Sequence, residues 1–282
     1  MPRIDNWFIE DFEGKVGGLS FKVDKVLYKG QSEYQDIKVV ENSFFGRVLL
    51  LDDIVMLSDK DEFYYHDMLV HVPMVCARSP RHVLVIGGGD GGTVREVLKH
   101  PGVERVVLCE IDAMVIDVAK RYFPSLSASL DDERVEIVNK DGSKYIKQFH
   151  ESFDCICIDS TDPIGPGEKL FTQDFYSDVK KALRQDGCMS AQSESPAWSL
   201  DEVIRIRGNI ASAFGNAHVY TAPTPCYPSG FWSFTLALVK DKDPEVDFDL
   251  GRAKDIAKLC RYYNPSIHRS SFALPNFIVQ EL

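Results

Sequence analysis

The stretch that decides the fold is His82-Val83-Leu84-Val85-Ile86-Gly87-Gly88-Gly89-Asp90-Gly91-Gly92. A short apolar run ends in a burst of glycines, and Thr93 to Lys99 then has the pattern of the first turns of a helix. A strand, a glycine turn and a helix, in that order, bring backbone N–H groups close to a nucleotide in α/β folds. The stretch therefore predicts a nucleotide-type site at the end of a strand.

The glycine spacing alone leaves two ligand classes open. Gly87, Gly89 and Gly92 fit the dinucleotide fingerprint, while Gly87, Gly89 and Gly91 fit the looser turn of adenosylmethionine-binding folds. Asp90 lies inside this turn, and its carboxylate would repel a pyrophosphate. Asp90 therefore favours a cationic ligand.

Length and composition narrow the class of protein. The 282 residues suffice for one large domain or two modest ones, and 44% hydrophobic with 27% charged residues is an ordinary globular composition. The net charge of −11 disfavours nucleic acid as a partner, because phosphates need Lys and Arg. No stretch approaches the ~20 apolar residues of a membrane span, and the charged N-terminus does not resemble a signal peptide. The seven cysteines and seven histidines show no zinc spacing, so we expect buried reduced thiols, a reducing compartment and no metal.

The pattern of apolar residues changes along the chain. Three early runs predict β structure, at 20–27, 33–40 and 46–57, and 60–75 has the spacing of an amphipathic helix. Strands are then expected at 82–87, 105–110, 134–138, 153–159, 187–192, 217–221 and 231–239, with helices at 92–99, 113–122, 173–184 and 199–213. This alternation predicts an α/β fold, with a mostly parallel twisted sheet and helices on both faces. We place a small antiparallel β domain with a connecting helix at 1–78, and the main domain at 79–282.

Acidic side chains follow the predicted strands, where ligands of such sheets bind. Glu110 lies about 20 residues after the glycine turn, the usual distance for a carboxylate that takes ribose hydroxyls. Asp141-Gly142 ends the third strand, where Asp141 is placed to accept from an adenine amino group or simply to form a turn. Asp159 and Asp162 end the fourth strand beside a loop rich in Pro and Gly. They are placed to bind an amine or accept a proton, and helix capping is the alternative.

Four other side chains are candidates for the site, and each of them also has an ordinary structural interpretation. Tyr65 and His66 lie on the predicted helix, where a lone His is often structural. Gln35 lies in a predicted strand, where a polar side chain often only faces solvent. Tyr227 lies on a loop framed by prolines and is suited either to cover an apolar methylene chain or to pack as a core aromatic.

Taken together, these residues resemble the polyamine aminopropyltransferase family, most nearly its spermidine synthases. The resemblance covers nearly the full chain in order. Its pieces are Tyr34-Gln35-Asp36-Ile37, Asp61-Glu62-Phe63-Tyr64-Tyr65-His66-Asp67-Met68, Ile86 to Gly92, Glu110-Ile111-Asp112, Asp141-Gly142, Asp159 to Gly167, Arg261-Tyr262-Tyr263-Asn264 and Ser271-Phe272-Ala273-Leu274-Pro275.

The resemblance implies a fold, a reaction and a set of site residues. The fold would be a small N-terminal β domain followed by a methyltransferase-like Rossmann domain, in a cytoplasmic homodimer or homotetramer. The reaction would transfer an aminopropyl group from decarboxylated S-adenosylmethionine, a co-substrate rather than a cofactor, to putrescine. The methylthioadenosine part of the donor would be held by Gln35, Glu110, Asp141, Gly142 and Pro166, and its ammonium by Asp90. The polyamine would be bound by Tyr65, His66, Asp90, Asp159, Asp162 and Tyr227. Asp159 would be the proton acceptor, and residues 160–174 a lid.

Several alternatives stay open at this point. The segment Gln192 to Trp198 borders the far end of the amine site and leaves agmatine, cadaverine and spermidine as possible acceptors. A methyltransferase that uses intact adenosylmethionine would have the same fold, but Asp90 would then face that ligand's carboxylate. An NAD-dependent oxidoreductase would place a pyrophosphate there instead. A binding module without catalysis is disfavoured because both Asp90 and Asp159 are present.

Overall fold

The computed structural model describes residues 6–11, 17–163 and 165–282. Its strands are β1 Trp7–Asp11, β2 Gly18–Lys22, β3 Lys25–Gln31, β4 Asp36–Asn42, β5 Gly46–Leu51, β6 Ile54–Ser58, β7 His82–Gly87, β8 Arg105–Cys109, β9 Val135–Val138, β10 Phe153–Asp159, β11 Leu183–Gln192, β12 His218–Pro223 and β13 Phe231–Leu238. Its α-helices are α1 Glu62–Cys76, α2 Gly92–Leu98, α3 Ala113–Tyr122, α4 Pro124–Ser127, α5 Gly142–Tyr145, α6 Gln173–Ala182, α7 Leu200–Phe214, α8 Leu250–Ile256, α9 Pro265–Ser270 and α10 Asn276–Val279.

The large sheet has the order β12-β13-β11-β10-β7-β8-β9 and confirms the predicted α/β class. The pairs from β9 to β11 are parallel, and β13 is antiparallel to both of its neighbours. Along β7, Val83 and Val85 pack into one core cluster, while Leu84 and Ile86 pack into another. Helices therefore cover both faces of the sheet, which explains why its central strands are continuous apolar runs.

Pairing in the large sheet places two candidate stretches side by side. β7 has β8 on one side and β10 on the other, so the chain changes direction across the sheet at β7. In the β7–β10 register, Gly87 lies opposite Asp159. The glycine turn and the proposed proton acceptor therefore meet at the carboxyl edge of the sheet, where α/β folds bind ligands.

The N-terminal part forms two small antiparallel sheets, β1-β2 and β3-β4-β5-β6. Two of the predicted strands each span parts of two observed strands, and the third, 33–40, begins before β4. The run 20–27 is the end of β2 and the start of β3, which belong to different sheets, and 46–57 is divided into β5 and β6. Between β5 and β6 lie Asp52 and Asp53, with φ of 50° and 60°. Asp tolerates this left-handed conformation, so the pair forms a tight turn inside an otherwise apolar run.

Helix α1 is buried on nearly all sides, so the prediction of an amphipathic helix was wrong. Met68, Leu69 and Val72 have no exposed surface, and the polar side chains of the helix are buried as well. Ser190 Oγ donates to the Leu69 carbonyl oxygen at 2.6 Å, and Tyr220 Oη to that of Met68 at 3.1 Å. Because polar and apolar side chains are buried on all faces of α1, the helix has no separate apolar and polar faces. The helix packs on the large sheet, and the domain boundary at 78/79 stays a prediction.

The C-terminal helices α8, α9 and α10 were not predicted from the sequence. The segment between α8 and α9 is held to α1 by Asp67, whose Oδ2 accepts from the backbone N–H groups of Arg261, Tyr262 and Tyr263 at 2.8–3.1 Å. All seven cysteines are free thiols, and Cys155 and Cys157, two positions apart on β10, point into the same core cluster. Within the described part of the chain, no helix has the length and apolar character required to cross a membrane.

Candidate active site

A cleft opens between the carboxyl edge of the large sheet and the four-stranded N-terminal sheet β3-β4-β5-β6. Its empty volume is about 1010 Å³, counting the open mouth. The small sheet contributes Leu49, Leu51 and Met56 as an apolar wall. Nine of the sequence-predicted residues line it together: Gln35, Tyr65, His66, Asp90, Glu110, Asp141, Gly142, Asp159 and Tyr227. Asp162 lines a smaller adjoining cavity, and the side chain of Pro166 lies outside the described residues.

The glycine turn lets the backbone approach Asp159 closely. Gly87 has φ of +79°, and a Cβ there would lie 2.0 Å from the carbonyl oxygen of Asp159. A Cβ on Gly88 would lie 2.6 Å from Asp159 Oδ2. No side chain fits at either position without moving the end of β10. Asp90 follows, and its Oδ1 accepts from the Gly92 N–H at 2.7 Å.

Glu110 is fixed at the floor of the cleft by backbone amides. Its Oε2 accepts from the Gly89 N–H at 3.2 Å and its Oε1 from the Asp112 N–H at 2.8 Å. Burial is the largest effect on this carboxyl and raises its pKa to about 7, in spite of the two amides. The two amides fix the direction in which the carboxylate points.

Gln35 lies in the turn just before β4, not inside a strand as predicted. Its Nε2 donates to Asp112 Oδ2 at 2.9 Å, and Ser32 Oγ donates to the same oxygen at 2.7 Å. Asp112 also caps α3, because its Oδ1 accepts from the Met114 N–H at 3.0 Å. This aspartate joins the small sheet to the large domain, and the sequence analysis gave it no role. Its position just before a predicted helix was the available signal.

Asp141 both caps a helix and lines the cleft, and its contact with an adenine amino group stays a prediction. Its Oδ1 caps α5 by accepting from the Ser143 N–H at 2.9 Å and from Ser143 Oγ at 2.6 Å. It also lines the cleft beside Gly142, where a Cβ would lie 2.4 Å from Ile86 Cγ2. The cap orients the carboxylate at the cleft wall.

Asp159 is held by two hydroxyl groups from two helices. Oδ1 accepts from Tyr65 Oη at 2.8 Å, and Oδ2 accepts from Thr93 Oγ1 at 2.6 Å. Burial, followed by the charge of Asp90, raises the pKa of this carboxyl. A raised pKa brings a carboxylate closer to the basicity that proton transfer near neutral pH requires. Thr93 was missed in the sequence, although it directly follows the glycine turn.

His66 lies between two carboxylates. Nδ1 is 2.6 Å from Glu62 Oε2, and Nε2 is 3.4 Å from Asp90 Oδ1. Burial acts to lower the pKa of His66, but Asp90 and Glu62 outweigh it and raise the pKa to about 9. The Glu62 carboxylate in turn accepts hydrogen bonds from both terminal nitrogens of Arg95, at 3.1 and 2.8 Å. The sequence analysis singled out neither Glu62 nor Arg95. The i,i+4 spacing of Glu62 and His66 on one helix was a usable signal.

Further carboxyl groups lie around the adjoining cavity, beyond Asp159. It is lined by Glu10, Tyr65, Asp162, Gln192, Tyr227 and Trp232, among others. Burial raises the pKa of Glu10 to about 7 and that of Glu194 well above its usual range, and in both cases Asp162 adds to the rise. In the described structure, the buried Trp232 Nε1 has no hydrogen-bond partner. The cavity is therefore an acidic site beside aromatic walls, suited to a cationic group.

Tyr227 packs as an aromatic and reaches the small sheet. Its ring centroid lies 5.8 Å from that of Tyr65 and 4.7 Å from that of Trp232. Its hydroxyl donates to the Met56 carbonyl oxygen at 2.6 Å. The ring forms a wall shared by the main cleft and the acidic cavity.

Among the residues that the structure describes, two groups of side chains bring metal-ligand atoms within 4.8 Å of one another. One is His66, Asp90 and Asp159 in the cleft, and the other is Asp67, His71, Glu96 and Cys260 at α1. In the first group, both oxygens of Asp159 already accept hydrogen bonds from hydroxyls. In the second, Glu96 already pairs with Arg95 and Lys99, and it accepts from His71 Nε2 at 2.9 Å. Asp159 in the first group and Glu96 in the second are thus already engaged by protein donors.

Known proteins share this sequence and architecture. Residues 62–249 match the family model for the spermine/spermidine synthase domain, and residues 6–59 match that for the spermidine synthase tetramerisation domain. A polyamine aminopropyltransferase of Thermotoga maritima is 45% identical over 282 residues, covering 100% of this chain and 95% of that protein. One of Bacillus subtilis is 42% identical over 272 residues, covering 96% and 97%. The crystal structure of a spermidine synthase in complex with the transition state analogue AdoDATO has a TM-score of 0.96 at 45% identity, covering 100% of this chain and 96% of that one. That of the spermidine synthase from Thermotoga maritima has a TM-score of 0.94 at 44% identity, with the same coverage.

Proposed function

This chain belongs to the spermine/spermidine synthase family and is a polyamine aminopropyltransferase, and from that premise we propose that it is a spermidine synthase. It transfers the aminopropyl group of decarboxylated S-adenosylmethionine to putrescine, giving spermidine and methylthioadenosine. The donor is a co-substrate, and the reaction needs no cofactor. The assignment of putrescine as the acceptor rests on the acidic cavity beyond Asp159, which suits the far ammonium group of a short diamine.

The donor site is formed by the glycine turn and the strand ends that follow it. Glu110 takes the ribose hydroxyls, because its carboxylate is held rigidly at the cleft floor. Asp141, Gly142 and Gln35 hold the rest of the methylthioadenosine part, to which we also assign Pro166. Asp90 binds the ammonium of the aminopropyl arm. Opposite charges about 4 Å apart attract by about 4 kcal/mol at an effective dielectric near 20. Intact S-adenosylmethionine also carries a carboxylate beside its ammonium, which Asp90 would repel, so Asp90 favours the decarboxylated donor.

The acceptor site extends from Asp159 to Asp162 along Tyr65 and Tyr227, with His66 and Asp90 beside it. The near amine of putrescine attacks the aminopropyl carbon that is bonded to sulfur. A C–N bond forms, the C–S bond breaks, and its electron pair returns to sulfur as neutral methylthioadenosine leaves. The amine proton passes to Asp159, directly or through one water. Holding both reactants in line contributes up to ~7–11 kcal/mol in favourable cases.

The far amine stays protonated and is bound by Asp162 with Glu10 and Glu194 nearby. Burial of these carboxyl groups together raises the pKa of Glu10 and of Glu194, and a bound cation relieves their repulsion. The tetramerisation-domain match at residues 6–59 supports a homodimer or homotetramer. We place the enzyme in the cytoplasm, where free thiols stay reduced.

The experiment that tests the acceptor compares amines with and without a far ammonium group. In wild type, kcat/KM with putrescine should exceed that with agmatine, cadaverine, spermidine and 1-butylamine. Asp162→Asn should raise the KM for putrescine roughly 10- to 100-fold, the value of a charge-assisted hydrogen bond, and leave 1-butylamine unchanged. An equal rise in KM for both amines would mean that Asp162 does not bind the far amine of putrescine. A preference for another diamine would leave aminopropyl transfer intact but change the acceptor.

A further inference from the structure

The imidazole of His66 has a carboxylate oxygen at each of its two nitrogens. Glu62 Oε2 lies 2.6 Å from Nδ1, and Asp90 Oδ1 lies 3.4 Å from Nε2. A neutral imidazole has one N–H and one lone pair. Either neutral tautomer would therefore place a lone pair beside a carboxylate, and only the imidazolium carries an N–H at both nitrogens.

The groups around His66 come from four elements. Glu62 and Tyr65 face it from α1, Asp90 from the glycine turn, Asp159 from the end of β10, and Arg95 from α2 through Glu62. The carboxylates favour the protonated ring, and burial opposes it. Asp90 and Glu62 are the two that lie within reach of its nitrogens.

Glu62 is the more rigid of these two carboxylates. Arg95 Nη1 donates to Glu62 Oε1 at 3.1 Å and Nη2 to Oε2 at 2.8 Å, which is the bidentate fork geometry. Both Glu62 and His66 are buried. The ring is also packed against Gly92, where a Cβ would lie 2.3 Å from His66 Cε1. The ring is thus fixed on the Glu62 side, and its Nε2 is directed at Asp90.

We infer that Glu62, clamped by Arg95, is a positioning residue that holds His66 as an imidazolium against Asp90. Asp90 Oδ1 then has two partners: the imidazolium, in ion-pair range at 3.4 Å, and the Gly92 N–H, which donates a hydrogen bond to it. This inference rests on the proposed function, in which Asp90 receives the ammonium of the donor. Glu62 does not touch the donor and acts through His66.

When His66 loses its proton, one of its two contacts is lost. The contact to Glu62 is shorter and anchored by Arg95, so the ring keeps its N–H on Nδ1 and directs a lone pair at Asp90. Asp90 then loses its ion pair with the imidazolium, and the donor substrate binds more weakly. The affinity for the donor should therefore fall as the pH rises past the pKa of His66, which is raised to about 9.

The first test is an NMR titration of the imidazole rings of the intact protein. In wild type His66 should titrate near pH 9, and in Glu62→Gln its pKa should fall by about 1–3 units, the usual effect of one adjacent opposite charge. Glu104→Gln is the matched control, since Glu104 lies 3.7 Å from His82 in a half-exposed pair far from the cleft. It should leave His66 unchanged. A wild-type His66 that titrates below pH 7 would overturn the inference without any variant.

The second test is the pH dependence of donor binding and turnover. In wild type the donor KM should stay level to about pH 8 and rise above it. In Glu62→Gln that rise should begin 1–3 pH units lower, with kcat at saturating donor nearly unchanged. An unshifted KM profile in a variant whose His66 pKa has fallen would contradict the positioning role. If neither protein transfers an aminopropyl group, the proposed function fails, and the NMR titration still decides the state of His66.

Discussion

The hydroxyl of Tyr65 donates to Oδ1 of Asp159 across 2.8 Å, joining residues that are 94 positions apart in the chain. Tyr65 comes from α1, before the glycine turn, and Asp159 ends β10, after it. Thr93, from the first turn of α2, holds the other carboxylate oxygen at 2.6 Å. Asp159 is thus positioned by α1, which precedes the glycine turn, and by α2, which follows it. The packing of these helices determines which side of the Asp159 carboxylate faces the cleft.

Asp159→Asn should retain methylthioadenosine binding and lower kcat by roughly 10²–10⁴, the usual contribution of a positioned base. The loss should shrink as the pH rises, because more of the amine is then already neutral. Steady-state kinetics from neutral to alkaline pH provide the measurement, with Asp117→Asn on the exposed side of α3 as the control. A near-normal kcat at neutral pH would remove Asp159 from the mechanism.

Glu110→Gln should raise the donor KM roughly 10- to 100-fold and change kcat at saturating donor much less. A ribose contact is present in both the ground state and the transition state, so its loss weakens binding without slowing the chemical step. The magnitude is that of one hydrogen bond to a charged group. Glu136→Gln, an exposed carboxylate of β9 paired with Arg105, is the control. If the donor KM of Glu110→Gln equals that of wild type, the ribose assignment is wrong.

Intact S-adenosylmethionine should bind roughly three powers of ten more weakly than the decarboxylated donor. It adds a carboxylate on the carbon that bears the ammonium. Two like charges about 4 Å apart cost on the order of 4 kcal/mol at an effective dielectric near 20. Asp90→Asn should narrow this gap, mainly by weakening the decarboxylated donor. Calorimetric titration of both donors into both proteins measures it, and equal affinities in wild type would mean that Asp90 does not discriminate.

The stretch Thr161 to Gln173 should exchange its amide hydrogens faster without ligand than with methylthioadenosine and an amine bound. Of this stretch, Ile164 lies outside the described residues, Gly167 and Leu170 face the cleft, and Phe171 is buried in the core. A segment anchored at one end and open to the cleft at the other suits a lid that excludes water. Hydrogen exchange by mass spectrometry is the measurement, and equal protection in both states would show a fixed loop.

The central strands could be predicted from the sequence because they are buried on both faces. β7 and β10 were placed at their observed bounds, 82–87 and 153–159, since continuous apolar runs ending at Gly or Asp mark such strands. The short helices α8, α9 and α10 have too few turns to show a period. The two-residue turn inside 46–57 has no Gly or Pro to mark it.

The candidate site, like the fold, could be predicted only in part from the sequence. Glu110, Asp141 and Asp159 were found because each follows a strand, and the topology brings strand ends together. Their partners were not found, because a hydrogen bond such as that between Thr93 and Asp159 depends on how α2 packs beside β10. The Glu62–Arg95 pair likewise joins two helices that are adjacent only in the folded chain.

The central claim is that this chain moves an aminopropyl group from the decarboxylated donor to a diamine. The most direct measurement is mass spectrometry of the products after incubation with decarboxylated S-adenosylmethionine and putrescine, and separately with intact S-adenosylmethionine and the same amine. The first mixture should give spermidine and methylthioadenosine in equal amounts, and the second should show no transfer. A methylated amine from the second mixture, with no spermidine from the first, would contradict this claim.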